Sequence, residues 1–275
     1  TDTLVTSAFD NEILWWREDG TVSRRAKLEN GVVTVLRPMT LDRLVTAGST
    51  ENTVSIHRLE DARQQQWKTA AEEWVGAVAI APGGDAVATG SVHHAVAVLD
   101  ATDGSARWRN SAHDGAVMAV AYSPDGRVVA SGSADATVKV WDAITGEMIL
   151  DLVRIRAAVT AIAISPDGKY LAAAAVDLSI RVFSLPDGEL LKLLYGHTKA
   201  IESLAFHPRS WLFASGSRDG TVGLWAAGKG VANVRIEASS RPVSAVAFNG
   251  AGTRLAAAGQ DKLVRLYDVA AKDDA

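Results

Sequence analysis

Val117-Met118-Ala119-Val120-Ala121-Tyr122-Ser123-Pro124-Asp125-Gly126-Arg127-Val128-Val129-Ala130-Ser131-Gly132-Ser133 reads as two short strands joined by a tight turn. The first six residues alternate large and small apolar side chains, the pattern of a half-buried or buried strand. Ser123-Pro124-Asp125-Gly126 then turns the chain, with Pro124 holding φ near about −65° and Gly126 tolerating positive φ. Residues 127–133 return as a second strand, and residues 137–141 and 147–153 read as a third and fourth. Four short strands, lettered a to d, make one unit.

The unit recurs. Val33, Val75, Val117, Val159, Ile201 and Val243 each open an a strand and are spaced by 42 residues. Glu51, His93, Asp135, Asp177, Asp219 and Asp261 follow at the same interval, as do Gly84, Gly126, Gly168 and Gly252, with Ser210 in the remaining slot. A period of about 40–45 residues with four strands per unit belongs to the blades of a β-propeller. Small residues crowd the first two strands (Ala77-Val78-Ala79, Ala161-Ile162-Ala163), as inner strands converging on an axis require. No segment carries a sustained helical period with capping signals, so an α/β fold is a poor reading.

Within this frame, His113, Ser131, Asp135 and Trp141, followed by Asp142, resemble the structural tetrad of the WD40-repeat family. Gly196-His197, Ser215, Asp219 and Trp225 repeat it at identical spacing. The resemblance implies that the imidazole bridges Asp and Ser while the indole N–H closes the network, tying the d–a loop to strands b and c. Other repeats depart from it. Repeat five has Ala173, Asp177 and Phe183; repeat seven has Ala257, Asp261 and Tyr267; repeat three has Thr89, His93 and Leu99; and repeat two has Ala47, Glu51 and His57. Those blades are expected to rely on apolar packing more than on polar bonds.

Residues 1–30 form a partial repeat in which Thr6, Asp10 and Trp16 keep the internal tetrad spacing, one residue out of register. Its strands, near residues 4–8, 12–17 and 23–29, are b, c and d. Complete repeats follow at 31–72, 73–114, 115–156, 157–198 and 199–240. A last partial repeat, 241–270, has a, b and c, and 271–275 is a polar tail. The expected architecture is an all-β, seven-bladed β-propeller of four-stranded antiparallel blades, with three-stranded first and last blades, as one domain over 1–270. The chain opens on Thr1, so it is expected to be processed or cut from something longer. Roughly 20 upstream residues of the parent, or a second chain, are expected to complete blades one and seven.

Composition fits a binding domain. The chain has 275 residues, 48% of them hydrophobic, enough for a large core. A net charge of −4 favours neither nucleic acid nor an anionic membrane as partner. There are no cysteines, so disulfides, thiolate metal sites and a cysteine nucleophile are excluded. No apolar run approaches the about 18–20 residues of a membrane span, and no signal-peptide pattern opens the sequence. The expected location is cytoplasmic.

Apparent catalytic motifs have structural readings. Gly216-Ser217-Arg218-Asp219-Gly220 has its Ser in the wrong position for a nucleophile elbow and a strand where a helix is needed. Gly250-Ala251-Gly252 lacks the third Gly of a dinucleotide loop. His93-His94 has no further ligand at metal spacing, His207 reads as an exposed turn residue, and Arg24-Arg25 with Lys27 reads as a solvated edge. No cofactor, metal or catalytic residue is expected, and a propeller enzyme of hydrolase or lactonase type, or a small-molecule reader, is the alternative. The b–c and d–a loops share one end of the ring. There Phe9, Glu72, Trp74, Arg156, Arg218, Arg241 and Gln260 are the candidate partner-binding residues, because aromatics and Arg dominate interface hot spots. The expected function is a scaffold or sensor domain of a signalling or effector protein that binds a protein or peptide.

Overall fold

The computed structural model describes residues 4–7, 12–17, 19–27, 33–40, 43–48, 53–58, 64–68, 74–111, 113–152, 155–185, 187–228 and 233–269. They form an all-β propeller, and no helix occurs among them. Blade one is β1 (Leu4–Ser7), β2 (Glu12–Trp16) and β3 (Val22–Lys27); blade two is β4 (Val33–Thr40), β5 (Arg43–Gly48), β6 (Thr53–Arg58) and β7 (Gln64–Lys68). Blade three is β8 (Val75–Ile80), β9 (Ala86–Ser91), β10 (Val96–Asp100) and β11 (Ala106–Asn110); blade four is β12 (Val117–Tyr122), β13 (Val128–Ser133), β14 (Val138–Asp142) and β15 (Met148–Leu152). Blade five is β16 (Val159–Ile164), β17 (Tyr170–Ala175), β18 (Ile180–Ser184) and β19 (Leu190–Leu194). Blade six is β20 (Ile201–Phe206), β21 (Leu212–Ser217), β22 (Thr221–Ala226) and β23 (Asn233–Glu237), and blade seven is β24 (Val243–Phe248), β25 (Arg254–Gly259) and β26 (Val264–Asp268). Each is an antiparallel meander paired in chain order.

The 42-residue register has a packing cause. Val117, Val159 and Val243, which open the a strands of blades four, five and seven, insert against strand b of the preceding blade. A Cβ on Gly90, Gly132 or Gly216 would come within 2.6, 2.5 and 2.9 Å of the Cγ1 of Val117, Val159 and Val243. Glycine and valine therefore recur as a pair, each allowing the other. Strand b is the most buried element: every residue of β9 is buried, and so are Leu171–Ala175 in β17. At interior packing density even one added methylene there is felt.

Inter-blade cores alternate along strand c. Trp141 packs back on blade three with Val117 and Val129, whereas Val140 packs forward on blade five with Val159 and Phe183. Trp225 packs back on blade five with Ile180 and Ile201. Blade seven breaks this pattern on its far side. Its face toward blade six is buried through Val243, Val246 and Leu255. Leu266, however, is 48% exposed, where the equivalent Val98, Val140 and Val182 are at most 1% exposed.

His207, expected at the surface, is half-buried. Its Nε2 lies 3.0 Å from the Gly252 carbonyl oxygen and its ring meets Phe248 edge-on. The turn itself is solvated, but the next blade leans on it, and that neighbour lies 45 residues away in sequence.

Candidate functional site

One end of the propeller is built from the b–c and d–a loops, and backbone bonds join these in pairs. The residue before each clasp position donates its N–H to the d–a loop: Val92 to Trp74, Ala134 to Ala116, Val176 to Ala158, Arg218 to Ala200 and Gln260 to Pro242. In blades three to seven the two loops thus form one surface. A bulge at the start of each a strand leaves Met118, Thr160, Glu202 and Ser244 out of the ladder. Glu202 uses this freedom to pair with Arg218 in the b–c loop.

Beneath this surface lie the clasps. In blade four, the Trp141 indole N–H donates to Ser131 Oγ at 2.8 Å, and Ser131 Oγ lies 2.8 Å from His113 Nε2. His113 Nδ1 lies 2.8 Å from Asp135 Oδ2, which also accepts the Asp114 N–H. A carboxylate can only accept, so Nδ1 carries the imidazole proton and Nε2 accepts from Ser131. Blade six repeats the chain through Trp225, Ser215, His197 and Asp219, at 2.7, 2.6 and 3.2 Å. Burial holds both imidazoles below their ordinary pKa, against the raising effect of Asp135 and Asp219, so both are neutral near pH 7. Burial pushes Asp135 up, but hydrogen bonds from Thr137, His113 and Asp114 outweigh it and bring its pKa to about 2. Asp219 is lowered further by the Thr221 and Thr198 bonds and by His197, again against burial.

Blades five and seven reach the same end by other means: apolar residues take the Ser and Trp slots, as expected, and the aspartate alone keeps polar partners. Ile155 occupies the histidine slot of blade five and is fully buried. Asp177 instead accepts from Arg181 Nη2 at 2.8 Å and from the Ser179 hydroxyl at 2.5 Å. Ser239 fills that slot in blade seven and donates to Asp261 Oδ2 at 2.9 Å, while Arg265 Nη2 pairs with the same oxygen at 2.7 Å. Arg265 and Ser239 lower the Asp261 pKa to about 2. The arginine stands four residues after the aspartate, where blade four has Lys139, bound to Asp151, and blade six has Gly223. Blade one keeps a partial clasp: Trp16 Nε1 donates to Thr6 Oγ1 at 2.8 Å.

Among the candidate partner-binding residues, Trp74 (45% exposed), Arg156, Arg218, Arg241 and Gln260 all stand exposed on the loop end. Phe9, Glu72 and the clasp candidate Asp10 lie outside the described residues. Ser217 and Asp219 are tied into the b–c turn, Ser217 Oγ donating to the Lys199 carbonyl and accepting the Asp219 N–H. His93 and His94 are exposed, and no group of three or more His, Asp or Glu among the described residues is placed to hold a metal ion. Arg24 stacks on Trp15 at 5.0 Å, and Arg25 lies 3.5 Å from Glu12. The sequence gives no sign of Lys199 and Lys262, exposed respectively in the d–a loop bonded to Arg218 and in the b–c loop of Gln260. Single lysines between strands carry no signal until the loops are seen side by side.

Clasped loops at one end of a propeller of repeated four-stranded blades define a WD-type repeat protein. Four stretches, residues 104–142, 153–184, 188–226 and 232–268, match the WD40 family model (WD domain, G-beta repeat) and together span more than half the chain. The chain belongs to this family. Comparison with curated proteins returned no match. WD40 propellers typically mediate protein–protein interaction and are generally not enzymes, and no helix among the described residues is long and apolar enough to cross a membrane.

Proposed function

We propose that this chain is a cytoplasmic interaction domain, without catalytic activity, that holds a protein or peptide partner on the surface made by its b–c and d–a loops. The observation carrying this reading is the exposure of Trp74, Arg156, Arg218 and Arg241 on d–a and b–c loops that backbone hydrogen bonds join in pairs. Such a surface is pre-organised, which reduces the ordering cost of binding. Photo-crosslinking groups at Trp74 and Gln260 should capture a partner, while groups at Ile144 and Arg209 on the opposite end should not. Trp74→Ala or Arg218→Ala should then weaken the captured complex by about 2–4 kcal/mol with folding intact. Capture from the opposite end alone would refute the choice of face.

The same reading includes a closed seven-bladed ring over residues 1–270, as one domain. Leu266 on the edge strand β26 and Leu263 just before it expose apolar surface, and Ala245 and Ala247 on the same blade are exposed too. A segment of the parent chain, or a second chain, would add strand d to blade seven and strand a to blade one, covering that surface. A chain lengthened by native upstream sequence should melt higher than this one; equal melting temperatures would count against it.

A further inference from the structure

The loop end of blades five to seven has an excess of unpaired positive charge, although the chain as a whole carries −4. Among the described residues five carboxylates lie there and each has a partner. Asp177 pairs with Arg181, Asp261 with Arg265, Glu202 with Arg218 and Glu237 with Arg235. Asp219 is held by His197, with Arg235 at 3.9 Å. Arg156, Lys199, Arg241 and Lys262 remain, all exposed, and none has a carboxylate within ion-pair distance among the described residues. The Arg218–Ala200, Ser239–Gly220 and Gln260–Pro242 backbone bonds set Lys199, Arg241 and Lys262 on adjoining loops. The opposite end exposes Asp103, Asp125, Asp167 and Asp187 at its turns, beside the cations Arg127, Lys169 and Arg209. Cations without a carboxylate partner are therefore gathered at the loop end, which steers an acidic partner toward it.

We infer that the partner of this face presents an acidic segment, rich in Asp or Glu, to Arg156, Lys199, Arg241 and Lys262. The exposed Val176 (50%) in the b–c loop beside Arg156 gives that segment one apolar contact as well. Arg241 and Arg156 suit bidentate carboxylate binding, and the two lysines add point charge. The inference rests on the reading of this face as the partner surface, and it adds the chemistry of what is bound.

Fluorescein-labelled dodeca-glutamate, dodeca-lysine and a neutral Gly/Ser dodecamer, titrated into the full chain by anisotropy, test it. Dodeca-glutamate should bind and the neutral dodecamer should not, and any dodeca-lysine binding at the opposite end should be untouched by Gln substitutions at the loop end. Replacing Arg156, Lys199, Arg241 and Lys262 together with Gln should weaken dodeca-glutamate binding about tenfold. Replacing Arg127, Lys169 and Arg209 at the other end with Gln should not. The four Glu substitutions at the first set, checked for folding by circular dichroism, should transfer binding to dodeca-lysine. Absence of dodeca-glutamate binding, or equal loss in both Gln variants, overturns the inference. So does tighter binding of a 12-nucleotide single-stranded DNA, which would assign the patch to a phosphate backbone. A random dodecamer display selection separates the two levels. Neutral or basic peptides that need the loop face refute the acidic partner and leave the face standing; peptides that all ignore the loop face refute both.

Discussion

Blades four and six hold their loops with a histidine, and blades five and seven with an arginine. In the first pair the aspartate is reached from the d–a loop by His113 or His197, and the network runs on through Ser to the Trp of strand c. One clasp thus joins a loop to two strands. In the second pair the main partner comes from strand c itself, four residues on. That clasp is local in blade five, and in blade seven Ser239 still ties the d–a loop. The requirement common to all four is a fixed carboxylate at the tip of the b–c hairpin. It accepts the backbone N–H of Thr137, Ser179, Thr221 or Leu263, two residues on. Which side chain satisfies the rest of the carboxylate is interchangeable, provided it is a donor.

The largest effect should come from the histidine clasps. Asp219→Ala leaves His197, Thr221 and the Thr198 N–H without their acceptor in a nearly dry site, and Asp135→Ala does the same in blade four. Each should lower unfolding free energy by about 3 kcal/mol, measured by denaturant titration. Asp177→Ala should cost about 2 kcal/mol, because it strands the Arg181 guanidinium, whose side chain is 9% exposed. Adding Arg181→Ala should restore part of that loss; no restoration would show that the arginine is not what the aspartate neutralises. Asp261→Ala should cost least, since Arg265 can turn to solvent. Equal losses at Asp219 and Asp261 would erase the distinction between the clasps.

Acid should separate the two kinds more gently. His113 and His197 have folded pKa values below the unfolded one, so the unfolded chain binds protons first as pH falls. Their contribution is complete above the unfolded histidine value of about 6.5 and declines below it. The aspartates, also lowered, hold their contribution down to about pH 4 and lose it below. Between those limits only blades four and six weaken. A double variant with His113→Gln and His197→Gln should show a flatter stability profile between pH 7 and pH 5 than the parent chain; an unchanged slope would place the titration elsewhere.

The repeat and the strand order were legible from residue spacing, because a strict period projects one blade's geometry onto the next, and the two histidine clasps were implied by the family resemblance of His113, Ser131, Asp135 and Trp141 and of their counterparts in blade six. The arginine clasps were not. Arg181 and Arg265 sit at alternate positions of a strand, where a cation ordinarily faces water, and only the folded hairpin turns them toward Asp177 and Asp261. Ile155 and Ser239 stand at the interval of His113 and His197, but neither residue type announces a clasp. The basic arc was hidden for a related reason. Lys199 and Lys262 are 63 residues apart in the chain, and the juxtaposition of loops, not local sequence, makes them part of one surface.

That the loop end is a firm surface, held by two chemically different clasps, is tested most directly by amide hydrogen exchange at Thr137, Ser179, Thr221 and Leu263. Each donates to the Oδ1 of its own clasp aspartate, at 2.9, 3.1, 3.0 and 3.1 Å. At pH 7 all four should be protected. At pH 5, after correction for intrinsic exchange, Thr137 and Thr221 should lose up to about tenfold in protection while Ser179 and Leu263 keep theirs. Four amides that exchange freely at pH 7, or that weaken together at pH 5, would contradict the account.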